Sequence, residues 1–60
     1  MNTMSTTRKN LIDRMIKLYG PEHPNVIWFV GLCERWKNTE YDDRLLRVTV
    51  ECHEEFPAFE

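Results

Sequence analysis

Apolar residues recur at helical spacing in three segments of the chain, and polar or turn-forming residues separate these segments. The first segment begins near Thr6 or Thr7, whose hydroxyl groups can cap a helix. It ends at Gly20, a residue that commonly stops helices. Its apolar side consists of Leu11, Ile12, Met15, Ile16, Leu18 and Tyr19. This spacing is typical of an amphipathic helix and predicts a first helix over residues 7–19.

The second segment, Asn25–Trp36, is the most apolar stretch of the chain, and we expect it to organise the fold. It follows a rigid connector, and Pro24 suits the first turn of a helix over residues 25–37. Its apolar residues are Val26, Trp28, Phe29, Val30, Leu32, Cys33 and Trp36. On a helix they cover an arc of about 200°, twice the roughly 100° that a surface helix needs. We therefore expect the other two helices to dock on one side of it and to leave a ridge near Trp28 and Leu32 uncovered.

The third segment fits a helix or a strand. As a helix it covers about residues 43–56, with Asp42 or Asp43 as its cap and Pro57 as its end. Its apolar face then contains Leu45, Leu46, Val48, Thr49, Val50, Cys52, His53 and Phe56. β-Branched residues within 46–52 favour a strand instead. A single strand would have no partner in this chain, so we favour the helix and predict an all-α three-helix bundle.

Composition supports one small domain. We expect residues 1–60 to form a single helical domain with frayed tails at 1–5 and 57–60. Apolar residues make up 42% of the chain, which is enough for a core despite the short length. The net charge of −2 disfavours attraction to nucleic acid or to a membrane. The N-terminus lacks the apolar region of a signal peptide, so we expect a cytoplasmic protein.

The residues that could carry chemistry do not form a recognisable constellation. Cys33 and Cys52 are expected to be reduced, buried thiols. Cys52 and His53 are adjacent, and therefore point about 100° apart on a helix, which does not suit one metal ion. We expect no metal, no cofactor, no catalytic residues and no enzymatic activity.

Residues Tyr19–Val26, with the sequence YGPEHPNV, resemble the junction between repeats in tetratricopeptide-repeat proteins of the kinesin-light-chain type. Leu32, Trp36 and Tyr41 then fall near apolar and aromatic positions of the repeat. The resemblance covers about Arg14–Glu54, or one and a half repeats. It implies helix hairpins with a groove for peptides and no catalysis. The chain is also similar to short accessory proteins of mobile elements in Gram-positive bacteria, a likeness that assigns no function.

Function is expected to lie in protein–protein contact. A surplus of apolar surface on the second helix predicts self-association, as a symmetric homodimer, or binding of another protein. We expect the contact surface to contain Trp28, Leu32, Trp36, Phe56 and Phe59.

A DNA-binding protein of the helix-turn-helix type is the alternative. Arg8, Lys9, Arg14 and Lys17 are expected on the outer side of the first helix. A recognition helix needs exposed polar or basic residues. The second helix is too apolar and the third carries several glutamates, so nucleic acid is the less favoured partner.

Overall fold

The computed structural model describes residues 4–58, and these contain three α-helices. They are α1 (Thr6–Tyr19), α2 (Pro24–Arg35) and α3 (Glu40–Glu55). No β-strand occurs among the described residues, and residues 46–52 lie within α3. The prediction of an all-α three-helix fold is therefore confirmed. None of the three helices in this part of the chain has the length and apolar character needed to cross a bilayer.

α1 begins one residue earlier than predicted. Ser5 has extended backbone angles, and its hydroxyl oxygen accepts a hydrogen bond of 3.2 Å from the backbone N–H of Arg8. The prediction that Thr6 or Thr7 caps this helix is wrong, because both threonines are already inside its first turn.

The cap of α3 also differs from the predicted one. Thr39 is the cap, since its hydroxyl oxygen accepts a 3.1 Å hydrogen bond from the backbone N–H of Asp42. The predicted caps, Asp42 and Asp43, lie with Glu40 in the first turn instead. Negative charge at that position stabilises the helix through its dipole, so these acids still mark the start of α3.

The connector between α1 and α2 behaves as its sequence predicts. Gly20 has a φ of 100°, and its N–H donates a 2.7 Å hydrogen bond to the carbonyl of Ile16. His23 caps α2, because its Nδ1 accepts a 3.0 Å hydrogen bond from the backbone N–H of Asn25. Pro24 occupies the first helical position, where its missing N–H has no consequence.

The central helix is α1, not α2. α1 packs against both other helices, whereas α2 and α3 scarcely touch each other. The buried apolar residues are Leu11, Met15, Val26, Phe29, Cys33, Leu46 and Val50. On α2 the buried residues occupy only about 60° of its apolar arc of about 200°, so α2 contacts the rest of the fold through one narrow face, whereas α1 meets two neighbours. The expectation that α1 and α3 dock on α2 is thus wrong.

Arg8 is a buried charge that joins all three helices. Its side chain is 2% exposed, and it donates hydrogen bonds to three backbone carbonyls at the end of α2. Nη1 bonds the carbonyls of Cys33 (2.7 Å) and Trp36 (2.9 Å), and Nη2 bonds that of Lys37. Nε lies 2.6 Å from Oδ1 of Asp43 on α3. The guanidinium therefore caps α2, whose last carbonyls have no partner within the helix. The prediction that Arg8 lies on the outer side of the first helix is wrong.

Candidate interaction surface

α3 carries a second apolar stripe on the side away from the core. The core-facing side holds Leu46 and Val50, which are fully buried. The other stripe, here called the outer stripe, consists of Tyr41, Leu45, Val48, Cys52 and Phe56. Steps of four, three, four and four residues keep these positions within an arc of about 80°. α3 is therefore apolar on two sides, of which the fold uses one.

The outer stripe is open to solvent. The exposed fractions are 74% for Phe56, 67% for Tyr41, 47% for Val48 and 37% for Leu45, and Cys52 is also exposed. Since an aromatic side chain offers about 150–250 Å², the stripe exposes on the order of 400 Å². A typical monomer has a largest apolar patch of about 300–600 Å². A patch in that range, on a chain with 4522 Å² of surface, marks a candidate contact site.

Charged residues follow one flank of the outer stripe in a definite order. Arg44 and Glu51 precede Leu45 and Cys52 directly, and both are exposed. Glu51 Oε2 is 4.0 Å from Nε of Arg47, and Arg47 lies further around the helix from the stripe than Glu51 does. Beside the stripe this flank thus carries a cation, Arg44, in the first half of α3 and an anion, Glu51, in the second half.

An aromatic and histidine cluster borders the C-terminal end of the stripe. The hydroxyl of Tyr19 accepts a 3.0 Å hydrogen bond from the N–H of Ala58 and lies 2.7 Å from Nδ1 of His53. Since the hydroxyl oxygen accepts from Ala58, its single proton is available to Nδ1. The ring centroids of Trp28 and His53 are 6.4 Å apart. A shallow hollow of about 210 Å³ is lined by Cys52, His53, Phe56 and Ala58.

The predicted contact residues differ in their exposure. Trp28 is half exposed and Phe56 is largely exposed, whereas Leu32 and Trp36 pack partly against the core. Phe59 lies outside the described residues. The exposed apolar surface is thus mainly on α3 rather than on α2.

Sequence reasoning missed the outer stripe because it assigned all apolar residues of α3 to one face. That face combined Leu45 and Val48 with Leu46 and Val50, which point in nearly opposite directions. The spacing of Tyr41, Leu45, Val48 and Cys52 was the signal that separates the two sides, since it repeats every three or four residues by itself.

The basic residues of the nucleic-acid alternative are partly engaged within the chain. Arg14 makes a two-point contact with Glu54, with Nε–Oε2 and Nη2–Oε1 distances of 3.0 and 2.6 Å. The hydrogen bonds raise the pKa of Arg14 and lower that of Glu54. With Arg8 buried, Lys9 and Lys17 are the members of this group that face solvent without such a contact in the structure.

The cysteines occupy different environments. Cys33 lies in the core, where burial raises the pKa of its thiol to about 11. Cys52 is exposed, so the expectation of two buried thiols is wrong for this residue, which belongs to the outer side of α3. Within residues 4–58, no group of three or more histidine, cysteine, aspartate or glutamate side chains is arranged to hold a metal ion.

Comparison with known proteins identifies no relative. No protein-family model matches this chain, and the comparisons with curated proteins and with solved structures found no match. The arrangement of its own side chains is therefore the basis for assigning a function.

Proposed function

We propose that the chain is a small non-enzymatic helical module that acts by self-association, with two copies joined through the outer stripe of α3. The observation that carries this proposal is the exposed apolar side of α3, which faces away from its own core. A cytoplasmic location suits the proposal, because both cysteines are unpaired.

The size of the outer stripe sets the expected strength of the contact. Two copies of a stripe of about 400 Å² bury roughly 800 Å² in total, and flanking charged side chains raise this toward about 1,000 Å². Stable complexes bury about 1,200–2,000 Å². We therefore expect a reversible dimer with a dissociation constant in the micromolar range, which depends on protein concentration.

Trp28 contributes at the edge of this contact rather than at its centre. Its ring is close to His53, which adjoins the hollow beside Cys52 and Phe56. A half-exposed Trp next to the outer stripe can cover the end of a docked helix. The proposed contact surface thus retains Trp28 and Phe56, which were predicted from the sequence, and adds Tyr41, Leu45 and Val48.

Nucleic-acid binding has less support. Arg8 is buried in a network of backbone carbonyls and Arg14 is paired with Glu54, so two of the four basic residues named for this role are already engaged. Phosphate binding gains its strength from several free cations acting together.

The test compares Val48→Glu with Ile27→Glu. Val48 is at the middle of the outer stripe, and Ile27 is an exposed apolar residue of α2 outside it. Analytical ultracentrifugation of the unchanged protein from micromolar to millimolar concentration should show dimerisation. Val48→Glu should remain monomeric over this range, and Ile27→Glu should dimerise normally. Far-ultraviolet circular dichroism should report the same helix content for all three proteins.

Two results would contradict the proposal. The unchanged protein could be monomeric at every concentration, or Val48→Glu could dimerise as strongly as Ile27→Glu. Either result would mean that the outer stripe does not join two copies.

A further inference from the structure

The order of the charged residues beside the outer stripe indicates how the α3 helices of two copies are oriented relative to each other. We infer that the two copies pair with their α3 helices antiparallel, so that Arg44 of each copy faces Glu51 of the other. This inference rests on the proposed self-association and specifies its geometry.

The outer stripe has the spacing of a two-helix seam. Tyr41, Leu45, Val48 and Cys52 are separated by four, three and four residues, as are the apolar seam positions of paired helices. In such a seam, the residue directly before every second apolar position lies at the edge of the contact, beside the neighbouring helix. Arg44 precedes Leu45 in this way, and Glu51 precedes Cys52, one heptad later.

In an antiparallel pair, this flank meets the same flank of the second copy in reverse order. Arg44 in the first half of one helix then lies against Glu51 in the second half of the other. Two-fold symmetry repeats the Arg44–Glu51 pair on the far side of the axis, so both copies are fully matched. Complementary flanking charges of this kind select partner and orientation in paired helices.

The apolar layers are consistent with the same register. With the axis between Leu45 and Val48, each Leu45 packs on Val48 of the second copy. Tyr41 then lies over Cys52 of the second copy, which places a large side chain on a small one. The midpoint of these layers and the midpoint of the Arg44–Glu51 pair lie within one residue of each other along α3, a difference of about 1.5 Å.

A parallel pair offers no such match. Its flanks would bring Arg44 beside Thr49 of the second copy, and Glu51 beside the ring of Phe56. The first contact gains no ion pair, and the second places a carboxylate on an aromatic side chain. Arg44 and Glu51 also do not satisfy each other within one chain, because seven helical residues separate them by about 10 Å.

The experiment mixes two charge-reversed variants. Arg44→Glu places glutamate against glutamate in its own antiparallel dimer, and Glu51→Arg places arginine against arginine. Each variant alone should dimerise at least tenfold more weakly than the unchanged protein. A one-to-one mixture should form a heterodimer with an affinity close to that of the unchanged protein, because both pairs are then matched. Native mass spectrometry separates the heterodimer from either homodimer by mass.

Two further variants control for general charge and for folding. Lys9→Glu makes the same charge change on the exposed face of α1 and should leave dimerisation unchanged. The double variant Arg44→Glu with Glu51→Arg restores both pairs within a homodimer and should regain the original affinity. This double variant tests the geometry even when one single variant fails to fold.

The outcomes separate the two proposals. If the unchanged protein dimerises but neither the mixture nor the double variant regains affinity, the antiparallel geometry is wrong and the self-association stands. If the unchanged protein does not dimerise, the proposed function itself fails. Salt should weaken the dimer of the unchanged protein. It should not weaken the dimer of a double variant that carries both Arg44→Gln and Glu51→Gln, since this dimer has no charge at either pair to screen.

Discussion

Replacing Arg8 by methionine tests whether one buried guanidinium holds the three helices together. Methionine keeps the apolar stem of the side chain and removes its donors. The change leaves the carbonyls of Cys33, Trp36 and Lys37 without their hydrogen bonds, and it leaves Asp43 without its cation. A general loss of packing is small by comparison, because the methionine stem occupies most of the same space.

The expected cost follows from these four contacts. A hydrogen bond to a charged group contributes about 1.5–3 kcal/mol, and an unsatisfied buried polar group costs about 1–3 kcal/mol. Asp43 is 26% exposed, so its part is screened by solvent and the carbonyls decide the result. We expect a loss of about 3–5 kcal/mol in the free energy of unfolding, as for other broken buried pairs. A chain of this length has a stability of about 3–9 kcal/mol, so Arg8→Met should be largely unfolded or close to it.

The assay is urea unfolding followed by far-ultraviolet circular dichroism, with linear extrapolation to zero denaturant. All variants are measured at one protein concentration, since self-association would add to the apparent stability. Lys9→Met is the matched control, because Lys9 is the exposed neighbour on the same helix, and its effect should stay within about 0.5 kcal/mol. Arg8→Lys should be intermediate, because an ammonium keeps the charge but lacks the planar fork that reaches several acceptors.

One result would refute this reasoning. If Arg8→Met unfolds at the same urea concentration as Lys9→Met, the contacts of Arg8 do not determine stability. Equal stability of Arg8→Lys and the unchanged protein would likewise show that the charge alone is sufficient and the fork is not needed.

Three further predictions concern pH, thiol reactivity and backbone conformation. The Arg14 contact lowers the pKa of Glu54, so its stabilising effect is complete above the ordinary value of 4.5 and is lost as pH falls through the lowered pKa. The difference in melting temperature between the unchanged protein and Arg14→Gln should therefore shrink as the solution is made more acidic. A difference that stays constant as pH falls below 4.5 until both proteins unfold would contradict this. In the folded monomer one thiol per chain should react quickly with Ellman's reagent at neutral pH, and Cys33 should react only in denaturant, so two fast thiols would contradict its burial. Gly20→Ala should destabilise the protein by about 1–2 kcal/mol, because φ of Gly20 is 100°. Gly31→Ala should stabilise it by about 0.5–1 kcal/mol, because Gly31 lies inside α2 with free space around it. Thermal melts in which both variants shift the melting temperature in the same direction would be inconsistent with the structure.

The three helices could be predicted because their signals are local. Helical periodicity and the residues Gly20 and Pro24 act within one or two turns of the chain. The caps of α1 and α3 were missed by one to four residues, since several hydroxyl and carboxylate side chains near each start compete for the same role.

Arg8 could not be predicted, because its partners lie far away in the sequence. It is three residues before Leu11 and seven before Met15, so helical periodicity does put it on the apolar side of α1. Its charge nevertheless favours solvent unless acceptors are supplied. The acceptors are carbonyls 25 to 29 residues later, exposed only because α2 ends at Arg35. No local pattern contains that information.

The arrangement of helices was also not readable from hydrophobicity. α2 has the most apolar sequence and the wider apolar arc, yet α1 is the central helix, because α2 uses only about 60° of its arc against the core. Total hydrophobicity states how much surface a helix could bury and not which neighbours will cover it. The same limit applies to α3, where the fold covers Leu46 and Val50 and leaves Leu45 and Val48 in solvent.

The central position of α1 also determines which pieces of the chain can fold on their own. A fragment that stops before α3 loses Leu46 and Val50, which cover part of α1, and leaves Arg8 without its carboxylate. A fragment that starts at α2 keeps two helices that scarcely touch. α1 is made first during synthesis, but its second apolar side stays uncovered until α3 has left the ribosome. We therefore expect the described helices to unfold together as one cooperative unit.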